Sequence, residues 1–175
     1  AAGEAITVSG SIDFSAAGDN FAETTSTFTT SGANTTLNAP QETFYTLVVN
    51  KAGAANTTSL ASDLTVSKEL RFDVQGILAA GAFTVNFQGD TWRNNVGATA
   101  FDGGSGVVDF VPPTTPHTIS IYGSTAFWNF RCLLGGVRFE FEKLQTTTIN
   151  GNLLLQGAAG NFIDLDAIGA DPAAA

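Results

Sequence analysis

Few residues in this 175-residue chain are equipped for chemistry. The one histidine, His117, lies in the proline-rich stretch PTTPHT, and the one cysteine, Cys132, lies in FRCLL. A Ser-His-Asp or Cys-His site would have to use His117, yet G-x-S-x-G is absent and Cys132 sits in a run that reads as buried strand. There Cys132 serves as a small core residue rather than a thiolate. No His/Cys spacing suits zinc. DGGSGV, residues 102–107, reads as a bend rather than a phosphate cradle, because no strand-then-helix context surrounds it. Asp90, Asp102 and Asp109 are neighbours in sequence with Arg93 among them. In a stacked fold such carboxylates could cooperate on a polysaccharide, but only if their coils align, and turn and strand-face roles are the favoured reading. Asp164, Asp166 and Asp171 in DLDAIGADP offer three hard oxygen ligands to Ca²⁺, without the spacing of a calcium loop. No catalytic residue and no cofactor other than that candidate Ca²⁺ is expected, and the chain does not read as an enzyme. Asn34 and Asn56 each begin an N-T-T acceptor for N-glycosylation.

The elements that would position these groups are short. The chain is 43% hydrophobic and 13% charged, with 19 glycines and 14 phenylalanines, so hydroxyls and amides make its surface polar. A net charge of −9 with seven cationic residues argues against binding phosphate backbones or anionic lipid surfaces. No apolar run is long enough to insert in a bilayer as a helix. A single cysteine allows no intrachain disulfide and does not fix a redox compartment. The absence of Met and the opening AAGEA fit a processed mature chain or an excised piece, and both fit an exported protein.

Period-two alternation dominates. VRFEFEKL sets Val137, Phe139 and Phe141 against Arg138, Glu140 and Glu142, and LTVSKELRFDV aligns Leu64, Val66, Leu70, Phe72 and Val74. GVVDFV and HTISIY are further strands, with VPPTTP a loop between them. No helical stripe of ten residues is found, so the chain is all-β. It also repeats itself. ETFYTLVVNKAG and TAFWNFRCLLGG pair Phe44 with Phe127, 83 residues apart, and the same offset pairs Val66 with Ile149 and Leu70 with Leu153. Phe28 with Phe110 and Leu37 with Ile119 follow at 82, defining repeats of about 28–87 and 110–165. Residues 8–21 further resemble residues 149–162, with Gly18 and Phe21 matching Gly160 and Phe162. Short strands, Gly or Asn turns and repetition predict one β-solenoid domain over residues 1–175, right-handed and β-helix-like. Coils of ~20–25 residues stacked at ~4.8 Å would give seven or eight coils and a rod of roughly 35 Å. A β-sandwich completed by donor-strand exchange is the alternative.

The stretch from GDTWRNNVG to INGNLLLQG resembles the repeats of large bacterial surface β-solenoid proteins, which are adhesin-like or filamentous. The motif residues are Trp92, Asn94, Asn95, Gly97, Phe101, Gly104, Gly106, Val108, Phe110, Ile119, Gly123, Phe127, Asn129, Phe130, Ile149, Gly151, Leu153, Leu155 and Gly157. The likeness spans roughly residues 28–163. It implies export to the extracellular space or cell surface.

The two ends, AITVSG and NFIDLDAIG, are as apolar as the interior and show no cap. A solenoid end is an open sheet edge. The leading expectation is therefore a structural subunit of an extracellular filament, a homopolymer joined head to tail, with Ile6, Val8 and Ile12 on one mating edge and Phe162, Ile163 and Leu165 on the other. A second expectation is a glycan- or surface-binding segment of a larger adhesin, using exposed aromatics such as Tyr45, Tyr122 and Trp128. A polysaccharide-active enzyme is the weakest.

Overall fold

Alternating residues build short strands, and a corner bends the chain after each one. The computed structural model describes residues 3–16 and 25–169, and over that span the chain winds as a β-solenoid of about seven coils. Each fully described coil lays one strand on each of three faces. The first face stacks Ala5–Val8, Thr27–Thr30, residues 46–49, residues 69–72, Thr91–Asn94, His117–Tyr122, Val137–Phe141 and Asp164–Ala167. The second face carries Ile12–Asp13, Thr35–Asn38, Thr57–Leu60, Ile77–Ala79, Phe101–Asp102, Thr125–Phe127 and Thr147–Ile149. The third carries residues 43–44, residues 64–66, Thr84–Phe87, Val107–Phe110, Asn129–Cys132 and Leu153–Leu155.

Every ladder among the described strands is parallel, and the lone antiparallel bridge joins Ala158 to Asn161. Parallel strands need long crossovers rather than hairpins, so the sandwich alternative gives way to the solenoid. Partners in successive coils lie from 19 residues apart (Thr27 and Thr46) to 29 (Thr91 and Ser120). The longest coil follows Trp92. There the second-face ladder is interrupted, and Phe101 meets Phe127 through their rings, 5.9 Å apart.

Inward positions stack in columns. Phe44, Val66, Phe87 and Phe110 succeed one another on the third face, and Ile6, Phe28, Leu47, Leu70, Trp92 and Ile121 on the first. Parallel sheets closed on themselves bury these columns completely, which is how so small a chain uses so many phenylalanines. Trp92 is the hub. Its ring centroid lies 5.0 Å from Phe127, 5.1 Å from Phe101 and 5.7 Å from Phe87.

The 83-residue echo needs correcting against this register. Phe44 lies on the third face and Phe127 on the second, and neither stacks on the other. Phe28 and Phe110 are likewise on the first and third faces, and Leu37 and Ile119 on the second and first. The offset therefore spans three coils and two further faces, so the structural repeat is the single coil. The echo arises because all three faces demand the same inward Phe, Leu or Val. Of residues 8–21, Gly18 and Phe21 lie outside the described residues. Val74, read as a strand position, follows the end of Leu64–Phe72 and is 72% exposed at a corner.

Two motif residues turn out to be corner chemistry. Asn94 is buried, and its Nδ2 donates to the carbonyls of Gly97 (2.9 Å) and Ser124 (2.8 Å), while its Oδ1 accepts from Gly97 N (2.9 Å). One side chain so replaces the backbone pairing lost where the chain leaves the first face. Gly123, at φ 74°, sits where an added Cβ would lie 1.8 Å from the Asn94 carbonyl oxygen, which no other residue permits.

Candidate functional site

The candidate site is the C-terminal end of the solenoid. Asp164–Ala167 pairs with Val137–Phe141 on one edge and with no described strand on the other. Leu153–Leu155 and Thr147–Ile149 end the third and second faces in the same way. Interior columns emerge at this end: Leu153 continues the row that runs back through Phe130 and Val108, and Leu165 follows Phe139 and Ile119. With no coil above them among the described residues, Leu153, Leu165 and Phe162 are 53, 57 and 70% exposed. Leu154, outward on the last third-face strand, is exposed as well. Exposed apolar groups over unpaired strand edges favour a further β layer.

The opposite end is better closed. Ala5–Val8 and Ile12–Asp13 are also paired on one edge only among the described strands. Ile6 and Val8 are half-buried against the core, and Ile12 is buried. Of the expected mating residues, Phe162 and Leu165 present real surface, Ile163 is half-buried, and Ile12 already belongs to the subunit's own core. The exposure of Leu153 and Leu154 was hidden in the sequence, because NLLLQG reads like any interior strand.

A cleft of about 460 Å³ lies beside the C-terminal end, lined by His117, Arg138, Asn161, Phe162 and Asp164 among others. Its guanidinium is committed: Arg138 Nη2 donates to Asp166, and Arg138 Nε lies 3.2 Å from Glu140. Of the candidate Ca²⁺ ligands, Asp164 is exposed on the first face, Asp166 is held by Arg138, and Asp171 lies outside the described residues. No group of three or more His, Cys, Asp or Glu side chains suited to a metal occurs among the described residues.

The other candidates do not converge. Asp90 sits at the corner leading onto the first face, paired with Lys68 and 3.5 Å from His117 Nε2. That ion pair raises the Lys68 ammonium above its usual range. Asp102 lies on the second face and caps its own turn through Gly104 N (3.0 Å). Asp109 lies on the third face, where Arg131 Nη2 donates to it at 2.7 Å. Arg93, on the first face, stacks over Tyr122 at 4.2 Å. Three carboxylates on separate faces cannot attend one bond. Tyr45 and Trp128 occupy corners of different coils, so the aromatics proposed for glycan contact form no common platform. Cys132 is fully buried, and burial pushes its thiol up. Asn34 is exposed with its Oδ1 accepting from Thr57 N (2.9 Å), whereas Asn56 is half-buried and Thr58 of its acceptor motif is wholly buried.

Family models, curated proteins and solved structures were all compared with this chain, and none matches.

Proposed function

We propose that the chain is a structural subunit of an extracellular filament or surface fibre, assembling head to tail along the solenoid axis. The observation that carries this reading is the C-terminal end of the described residues, where Leu153, Phe162 and Leu165 stand exposed and the last strands pair with a described strand on one edge only. A parallel stack is continued by strands that run the same way, and the first described strands of the chain, Ala5–Val8 and Ile12–Asp13, lie in parallel ladders. Its strand Ala5–Val8 offers a free edge in the same direction, with Ile6 and Val8 turned inward. Polar flanks agree with lengthwise growth: Glu69, Arg71, Asp73 and Arg93 form an ion-pair network on the first face. The likeness of residues 28–163 to bacterial surface β-solenoid repeats supports a place outside the cell.

Electron microscopy of the purified chain at several concentrations tests the proposal. Long unbranched filaments are expected, and Leu165→Lys should abolish them while the subunit stays folded by circular dichroism. Discrete particles at every concentration would overturn the reading.

A further inference from the structure

Among the described coils, one interface is built differently from the rest. Between the coil that begins with Thr91–Asn94 and the coil that begins with His117–Tyr122, the first face pairs Thr91 with Ser120, Trp92 with Ile121 and Arg93 with Tyr122. The third face pairs Val107 with Asn129, Val108 with Phe130 and Asp109 with Arg131, reinforced where Arg131 Nη2 donates to Asp109 at 2.7 Å. The second face has no ladder there. Phe101–Asp102 pairs with Ile77–Ala79 below, and Thr125–Phe127 pairs with Thr147–Ile149 above, but the two do not pair with each other. All of these strands lie well inside the described span, so the break belongs to the winding and not to either end. Its cause is the corner before Phe101. The chain spends Ala98–Ala100 on a 3-10 turn, with Ala100 N donating to Gly97 O at 2.9 Å, and that turn packs against Thr125–Phe127 in place of a ladder.

Packing and one side chain close the second face instead. The rings of Phe101 and Phe127 lie 5.9 Å apart with Trp92 behind them. A Cβ added to Gly103 would come within 3.0 Å of Trp128 N, so the two backbones touch there. Asn94 supplies the polar link. Its Oδ1 holds its own coil, accepting from Val96 N (3.1 Å) and Gly97 N (2.9 Å). Its Nδ2 reaches across to Ser124 O (2.8 Å) and Thr125 Oγ1 (3.2 Å). Beside it a cleft of about 350 Å³, lined by Val96, Gly97, Gly123, Ser124 and Glu142 among others, leaves the corner loosely filled. Ladder hydrogen bonds fix the spacing of two strands, whereas apolar contact is non-directional. Local opening costs least where the fewest backbone bonds must break.

We infer that this seam is a hinge. The coils from His117 onward tilt away from the coils before them by opening the second face, about the edge where the first and third faces meet, and Asn94 is the latch that holds the seam shut. A single copy carries the device, so it does not rest on the filament proposed above.

Thiol labelling of the folded chain reads the opening. Ala80 and Ala100 are both buried; Ala100 ends the turn against the seam, whereas Ala80 lies one coil lower, where its N donates to Asp102 O (2.8 Å). In a Cys132→Ala background, Ala100→Cys should react with iodoacetamide about tenfold faster than Ala80→Cys, because the seam opens without breaking a ladder. Adding Asn94→Ala should speed labelling of Ala100→Cys by about tenfold again and leave Ala80→Cys unchanged. Equal rates at the two sites would overturn the hinge, as would an Asn94→Ala change that speeds both alike, because both thiols would then react through global unfolding. Should a substituted chain not fold, hydrogen exchange of the unaltered protein decides. Relative to their intrinsic rates, the Trp92 indole proton behind the seam should exchange about tenfold faster than the Ser120 amide. That amide donates to Asp90 O (2.8 Å) on the intact first face, and equal protection of the two protons refutes the hinge.

Discussion

At the residue scale, two buried polar side chains make testable cases, Trp92 and Lys51. Trp92 is fully buried with no acceptor for its indole N–H among the described residues. Replacing it with Ala should cost about 3–5 kcal/mol, from lost contacts and the cavity left behind. Trp92→Phe should cost clearly less than Trp92→Ala, because the unpaired N–H leaves together with part of the volume. Urea melts of both variants check this, and equal losses would mean the N–H is satisfied in solution. Lys51 is the second case. Its Nζ donates to Ser31 O (2.8 Å) and Thr35 Oγ1 (2.9 Å), beside the buried hydroxyls of Thr30 and Thr58, and no carboxylate pairs with it among the described residues. Burial pushes its ammonium below the usual 10.5. The unfolded chain therefore keeps this proton to higher pH than the folded one, so the Lys51 contribution to stability rises as pH climbs from the folded-state value toward 10.5. Stability measured against pH should rise more in wild type than in Lys51→Met over that window, and parallel curves would contradict it.

At the element scale, each strand is too short to stand alone, and stability comes from its two neighbours in the stack. The long strand Leu64–Phe72 illustrates how one element serves two faces. Its first residues pair with Thr84–Phe87 and its last with Thr91–Asn94, so the strand bends at Ser67–Lys68 and Lys68 points out at the corner. Because Leu64 and Val85 occupy equivalent places, deleting residues 64–84 removes one coil and rejoins matching columns. The shortened chain should still fold with β-type circular dichroism and a lower melting point, having lost about 4.8 Å of length. Complete unfolding would show that the coils cooperate over more than their nearest neighbours.

At the scale of the whole molecule, the proposed assembly through the C-terminal end predicts a concentration dependence. Leu153, Leu165 and Phe162 stand exposed at one end, so apparent stability should rise with protein concentration if joints bury them. Thermal melts across a hundred-fold concentration range should shift upward in wild type and stay fixed in Leu165→Lys. A concentration-independent wild type would mean the end is not an interface.

Class and architecture were legible in the sequence because their signals are local. Alternation in VRFEFEKL placed Val137 and Phe139 inside, and short strands with Gly turns called for a stack; the ladders carry both out. The buried Cys132 was readable from its apolar neighbours. Which face each strand joins was not readable. Phe44 and Phe127 carry the same local pattern yet lie on different faces, since face membership depends on how many residues each corner consumes. The separation of Asp90, Asp102 and Asp109, the burial of Lys51 and the exposure of Leu153 all follow from that count summed over the coils. Residue spacing by itself determined that strands form and which side chains turn inward, because pleating repeats every two residues. Only the tertiary winding decided what stands above what, because register between coils is set by loop length rather than by any single residue.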